Sequence, residues 1–327
     1  MSATASSGDL AELRNVGTLE DLYKKLDGID ITPGWIPRPE PILQGEPHTA
    51  FKPAIWKWTQ CRAALDAAGR LINTELAERR NLVMRNPNIK QGIATTRTLV
   101  SAYQLILPGE HARSHRHSPH ALRVILDSKG AYSTVNGEKT PMETGDVVLT
   151  PGWHWHGHGH DGDRPAYWMD GLDVPLTQQV EQMFFEEHPD GFEKVDVITE
   201  SSPMRFTWDS SMQALDKAVA DPEGFHGPRI QLAAPTMPTI GIFQEKLARG
   251  TKTRPYRTSA SNIYVVMQGR GKSIVDGKTF EWEYGDTLAV PNWKIQEHHA
   301  LEDAVLFNMT DEPFLKWSHY YRFEAVQ

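Results

Sequence analysis

Residues 137–153 read GEKTPMETGDVVLTPGW, and residues 277–293 read GKTFEWEYGDTLAVPNW. Gly137, Gly145, Asp146, Pro151 and Trp153 of the first stretch recur as Gly277, Gly285, Asp286, Pro291 and Trp293 of the second, at the same intervals. Such agreement at five positions marks an internal duplication. The glycines suit tight turns of positive φ, and a Gly-Asp pair after a hairpin turns the chain into its next strand.

Working outward from the first stretch, "LVSAYQLILP", "ALRVILD", "YSTV", "DVVLTP" and "AYWMDGLDV" are short apolar runs separated by Gly, Pro, Asn and Asp, with Asn136-Gly137 as a hairpin turn. Many short strands at regular intervals predict a sandwich or small barrel. The same texture returns from about Met237 to the C-terminus. The expected organisation is an N-terminal arm and helices over 1–90, a first barrel over 91–175, a connector over 176–235 and a second barrel over 236–327. Up to about residue 55 the chain is rich in Pro and Gly and reads as an extended arm. Ile55, Trp58, Leu65, Ala68, Leu71, Ile72 and Leu76 then recur at helical spacing and predict one or two helices, closing at "RRNLVMRNP". "TQQVEQMFFEEH" gives the connector a helical look.

Composition narrows the functions. Hydrophobic residues make up 39% of the 327, enough for a packed core, and no apolar run is long enough for a membrane span. A formal charge of −8 argues against a general nucleic-acid binder. Cys61 is the single cysteine, so neither a disulfide nor a multi-cysteine zinc site can form within the chain. The first residues lack a secretory signature, and a cytoplasmic location is expected. Of 14 histidines, eight lie between His111 and His160.

Residues two apart on a strand face the same side, so His115 and His117 present both imidazoles together. A third can converge from the later hairpin strand. His156 follows the Gly145, Pro151, Trp153 series and is the best placed. Alternation nonetheless puts His154, His156, His158 and His160 on one face, and spacing alone leaves the third partner open. Three neutral imidazoles suit Fe, Zn, Cu or Ni and leave up to three positions of an octahedral site for a bidentate anion and O2.

The run from Gly109 through His115-x-His117, with Gly145 through Pro151 to His156, resembles the two cupin motifs. "ERRNLVMRNP", "LILPGEHARSHRH", "PGWHWHGHGH", "DGLDVPL", "PTIGIF", "GDTLAVPNW" and "DAVLFNMTDEP" extend the resemblance, from about residue 35 to the end, to the gentisate 1,2-dioxygenase family with its salicylate and 1-hydroxy-2-naphthoate members. That resemblance implies a mainly β bicupin of two jelly-roll barrels. It implies Fe(II) on His115, His117 and His156, and ring opening of a salicylate-type acid by O2 between its carboxyl- and hydroxyl-bearing carbons. The acidic ligand of the general cupin motif would fall near Arg123, and no Glu lies between His117 and Asp127. Family members are commonly homo-oligomers, so a tetramer or dimer is expected. A metal-dependent cupin isomerase or hydrolase working without O2, and a non-catalytic binding bicupin, are the competing classes.

The resemblance also brings Arg79, Gln104, Arg123, His158 and Asp170 to the pocket. Arg123 would pair with the substrate carboxylate, against a plain reading as an outward strand residue. Arg79 could instead be a surface charge closing a helix. His158 would act on a ring hydroxyl with Asp170 orienting it. Gln104 would present its amide or merely satisfy backbone groups. Arg113 departs from the family, which usually carries a small residue or proline there. It would suit a nitro or anionic 5-substituent, or simply face outward from a loop.

In the second copy Gln296 stands where spacing puts His156. One register sets Tyr256 and Thr258 against His115 and His117; another sets Pro255 and Arg257 there. Neither supplies an imidazole, so the second barrel is expected to be metal-free.

Overall fold

The duplication visible in two turns runs through almost every element beyond residue 53. The computed structural model describes residues 7–36, 43–73, 77, 79–233 and 236–326. It forms two units, Met1–Glu46 and Pro47–Gln327. In the first, α1 (Ser7–Arg14) and α2 (Leu19–Asp27) replace the start of the expected arm. These residues precede the first proline, Pro33, and the Thr18 hydroxyl caps α2 by accepting from the Asp21 N–H at 3.1 Å. Residues 37–42 of the arm lie outside the described residues, as does Leu76 of the helical pattern.

The first repeat opens with β1 (Ala54–Trp56), α3 (Trp58–Leu71) and β2 (Arg80–Val83), so a strand follows one helix where the pattern suggested further helix. The Arg80 guanidinium donates to the Ile72 carbonyl at 2.8 Å, satisfying the end of α3. Then come β3 (Val100–Ile106), β4 (His111–His117), β5 (Ala121–Asp127), β6 (Ala131–Val135), β7 (Glu138–Pro141), β8 (Val147–Thr150), β9 (His156–His160) and β10 (Ala166–Leu172). A short α4 (Val174–Gln179) leads to β11 (Phe185–Glu187) and β12 (Val197–Ile198). The expected connector helix is thus brief: Glu181 turns the chain at φ 58° and Phe185 opens strand β11.

The second repeat runs β13 (Arg205–Phe206), α5 (Trp208–Lys217), β14 (Arg229–Leu232), β15 (Gly241–Leu247), β16 (Tyr256–Thr258), β17 (Asn262–Gln268), β18 (Arg270–Val275), β19 (Lys278–Glu283), β20 (Thr287–Val290), β21 (Gln296–Ala300) and β22 (Ala304–Thr310). It closes with α6 (Glu312–Trp317) and β23 (Phe323–Ala325). The repeated turns keep one geometry, with positive φ at Asn136-Gly137 and Asp276-Gly277, at Gly145 and Gly285, and at Trp153 and Trp293.

Each barrel is two facing sheets. The first pairs the order β13-β8-β5-β10-β3-β2 with β11-β4-β9-β6-β7-β12; the second pairs β1-β20-β17-β22-β15-β14 with β19-β18-β21-β16-β23. The repeats exchange their opening strands. β1 of the first repeat pairs with β20 of the second barrel, and β13 of the second repeat pairs with β8 of the first. The helices stay with their own repeats, α3 against β2 and β3, α5 against β14 and β15. Matching carboxylates fasten both exchanges. Asp286 accepts from the Trp58 N–H at 2.8 Å, and Asp146 accepts from the Trp208 N–H at 3.1 Å.

Tyr103, Leu122, Val124, Leu149 and Met169 of one sheet are buried with Ile242, Ile263, Val265, Phe307 and Met309 of the other, making the largest core a layer between the barrels. A smaller apolar core around Ile106, Ile125, Val148 and Trp168 fills part of the first barrel, leaving the rest of its interior to polar side chains.

Candidate metal centre and pocket

The first-barrel centre depends on an irregularity in β4. Ala112 pairs with His158 and His115 with His156, so three steps on β4 oppose two on β9. One extra residue re-aims everything after it. His115 and His117 turn inward while Arg113 is exposed. The structure therefore does not bring the Arg113 side chain to the cluster; only its backbone carbonyl does so, 3.3 Å from His115 Nδ1. Gly157 permits the bulge, because a Cβ there would lie 2.8 Å from Ser114 Oγ.

His115, His117 and His156 come together, their ligand atoms all within 4.8 Å of one another. Ring centroids are 5.7 Å apart for His115–His117, 4.5 Å for His115–His156 and 4.8 Å for His117–His156. Each Nδ1 faces a backbone carbonyl: Arg113 O for His115, Pro119 O at 2.8 Å for His117, His154 O at 2.9 Å for His156. A ring that donates from Nδ1 presents its Nε2 lone pair, the tautomer a metal requires. His156 Nε2 is buried and has no hydrogen-bond partner among the described residues. Burial first, then Arg123, holds His156 well below the usual histidine range, and burial brings His117 down to about 4. With His117 and His156 held neutral by burial, the three converging imidazoles fit a divalent ion.

The other histidines of the run separate clearly. His154 precedes β9, with Nδ1 3.1 Å from Gly152 O. His160 lies further along, its Nδ1 accepting from the Gly162 N–H at 3.2 Å. His158 sits between, fully buried, with neither ring nitrogen partnered among the described residues. Burial, then Arg123, keeps it neutral.

Beside the cluster Arg123 is 2% exposed and donates from Nη1 to Thr150 Oγ1 at 2.7 Å. Its Nε lies 3.5 Å from Asp170 Oδ1. Burial lowers the guanidinium to about 10, with Asp170 opposing and Arg79 reinforcing, so it keeps its charge at neutral pH. The carboxylate expected to orient His158 has other partners: Asp170 accepts from the Trp168 indole at 2.7 Å and from the Gln104 amide. Sequence reasoning missed Trp168; its place two residues before Asp170, on the same face of β10, was the available signal. Gln104 Oε1 is buried without a hydrogen-bond partner among the described residues. Arg79 lies in a bend before β2 rather than at a helix end, close enough to act electrostatically on His117, Arg123 and His158.

Among the described residues the second barrel brings no such histidine set together. Tyr256 pairs with Gln296 as His115 pairs with His156, which selects the register of Tyr256 and Thr258. Tyr264 donates to Gln296 at 3.0 Å, and His298 faces Ser273 Oγ at 2.7 Å.

The paired double-sheet repeats define a bicupin, and the cupin domain family model matches residues 102–174. The chain is 35% identical to gentisate 1,2 dioxygenase 1 of Aquipseudomonas alcaligenes over 320 residues, covering 89% of this chain and 92% of that protein. It is 32% identical to the 5-aminosalicylate 1,2-dioxygenase of a Comamonas species, covering 94% and 90%. The salicylate 1,2-dioxygenase of Pseudaminobacter salicylatoxidans, also solved as adducts with gentisate, matches at a TM-score of 0.85 with 28% identity, covering 94% of this chain and 97% of that one. The chain belongs to the gentisate 1,2-dioxygenase family and is a ring-cleaving 1,2-dioxygenase. No helix among the described residues is long and apolar enough to cross a membrane.

Proposed function

We propose that the chain holds Fe(II) on His115, His117 and His156 and opens gentisate or another 5-substituted salicylate, such as 5-nitrosalicylate, between the carboxyl- and hydroxyl-bearing carbons. Both atoms of O2 enter the product. The observation that carries this reading is the pinning of all three Nδ1 atoms to backbone carbonyls beside a set of buried polar atoms awaiting partners. When bound, iron supplies the redox chemistry that couples O2 to the ring, which side chains cannot. Relatives named for gentisate and 5-aminosalicylate, and the gentisate adducts of a structural neighbour, support the substrate class.

The side chains have separate tasks. Arg123, fixed by Thr150 and Asp170, binds the substrate carboxylate, and Arg79 adds positive potential to a pocket in a chain of charge −8. Gln104, oriented through its amide by Asp170, turns Oε1 toward a ring hydroxyl. Neutral His158 accepts a proton from a hydroxyl or hydrogen-bonds to it. Asp170 acts through Arg123 and Gln104. The active form is a homo-oligomer.

The test is anaerobic reconstitution with Fe(II), followed by oxygen uptake across gentisate, salicylate, 5-aminosalicylate and 5-nitrosalicylate. Uptake stoichiometric with ring-opened product is expected. Turnover of these acids without oxygen consumption, or full activity with Zn(II), would overturn the proposal.

A further inference from the structure

Two segments carry the three imidazoles to their meeting point. Residues 115–120 run off the end of β4 with His115 and His117, and residues 151–156 turn into β9 with His156. Beyond the pairing of the two strands, side chains and turns brace these segments. Trp153 donates its N–H to the His117 carbonyl at 2.8 Å. The Arg116 guanidinium stacks 4.4 Å from the centre of the Trp153 ring and donates to Glu186 at 2.6 and 2.8 Å. Gly152 donates its N–H to His120 Nδ1 at 2.9 Å.

The duplication separates what the fold needs from what the cluster needs. In the second barrel Trp293 donates to the Thr258 carbonyl at 2.7 Å, and Arg257 stacks on Trp293 while pairing with Glu324. Those braces therefore recur where, among the described residues, no histidine set assembles. The ring-to-backbone bond of His120 has no such counterpart. Ser261 holds its place, since Asp311 accepts from the Ser261 N–H at 2.7 Å as Asp173 accepts from the His120 N–H at 2.8 Å. Asn292, between Pro291 and Trp293, holds the place of Gly152. Neither residue supplies an imidazole, so this bond belongs to the half that gathers the ligands.

His120 also acts on His117 through one peptide unit. The Pro119 carbonyl facing His117 Nδ1 at 2.8 Å lies in the same rigid plane as the His120 N–H. Asp173 holds that N–H and is itself held by the Thr239 hydroxyl of the second barrel. An acceptor at one end of a peptide strengthens the carbonyl at the other, and a firmer partner at Nδ1 orients a ligating imidazole. The approach of the two turns is close. A Cβ on Gly152 would fall 2.4 Å from the Ser118 carbonyl oxygen, so glycine is what admits the bond to His120.

We infer that His120 is a positioning residue: its ring and its N–H lock the turn bearing His117 to the turn preceding His156, and so set the spacing of the three imidazoles before an ion arrives. This rests on the reading of the cluster as the iron site.

The test compares Fe(II) affinity, by competition with a chromogenic chelator, and the visible spectrum of Co(II) at the cluster. His120→Ser, the residue of the second barrel, should weaken metal binding by about ten- to a hundredfold and shift the Co(II) bands. His120→Asn, whose Oδ1 can accept from Gly152, should recover most of the affinity. Gly152→Ala keeps the ring and should match His120→Ser by forcing the turns apart. Hydrogen exchange of the metal-free chain reads the bond itself, and the Gly152 amide should exchange faster in His120→Ser than in the wild type. A merely structural bond would lower Tm and leave chelator competition and Co(II) bands as in the wild type; that result, or an unchanged Gly152 amide, would overturn the inference. Faster exchange at Gly152 in a protein whose wild type retains no ion would uphold the lock and defeat the iron reading instead.

Discussion

His115 and Tyr256 hold the same position in the two barrels, each standing opposite the first residue of the returning strand, His156 in one and Gln296 in the other. In the second barrel Tyr264 donates to Gln296, and its hydroxyl lies 3.5 Å from that of Tyr256. The place of an ion and its ligands is thus taken by a chain of neutral hydrogen bonds. Purified protein reconstituted with Fe(II) should therefore bind one equivalent per chain. His156→Ala should remove it together with oxygen uptake, whereas Gln296→Ala should leave the metal content unchanged. Elemental analysis reads both.

Arg123 is the buried cation nearest the proposed carboxylate site. Arg123→Lys keeps the charge but loses the planar fork that reaches Thr150 and Asp170 together. A lost charge-assisted hydrogen bond is worth about 1.5–3 kcal/mol, so KM for gentisate should rise about ten- to a hundredfold, with a smaller change in kcat. Asp170→Asn should move KM the same way by freeing Arg123 and Gln104. Steady-state oxygen-electrode kinetics test both.

Gly285 and Gly145 seat the first residues of α3 and α5. Both have positive φ, and a Cβ would fall 2.4 Å from Trp58 at Gly285 and 2.8 Å from Trp208 at Gly145. Overpacking costs about 1–3 kcal/mol, with backbone strain of roughly another 1–2. Either glycine-to-alanine change should lower Tm by several degrees in calorimetry.

Acid should strip the metal-free protein of stability. His117 and His298 are held at about 4 by burial, below an ordinary value of 6.5. The unfolded chain takes up protons first, so their contribution is full above pH 6.5 and lost as pH falls from there toward 4. Asp311 works in the opposite sense. Burial raises it to about 6, so its contribution is full in acid and lost as pH climbs from 3.8 through 6. Asp311→Asn should accordingly gain Tm relative to the wild type between pH 4 and 7. A gap independent of pH would refute this assignment.

The bicupin fold was legible because its turns demand particular residues: Gly137, Gly145 and their partners sit at φ values that other residues reach only under strain. His115 and His117 were legible as a pair. For Arg113 two readings stayed open, because strand alternation puts it beside His115 and only the extra residue in β4, held by backbone bonds from residues far along the chain, leaves it exposed. The exchange of opening strands was not legible, since segments as short as Ala54–Trp56 and Arg205–Phe206 carry no periodic signal. The partners of Asp170 depended on which donors met across β3, β5 and β10, a matter of register rather than composition.

The crossed strands β1 and β13 give the half without the three-histidine cluster a duty independent of chemistry. Each half made alone would expose a sheet margin that the other normally closes, and two such halves would trade strands to heal it. The chain is thus a swapped dimer written in one polypeptide. Deleting either half would therefore unseam the other.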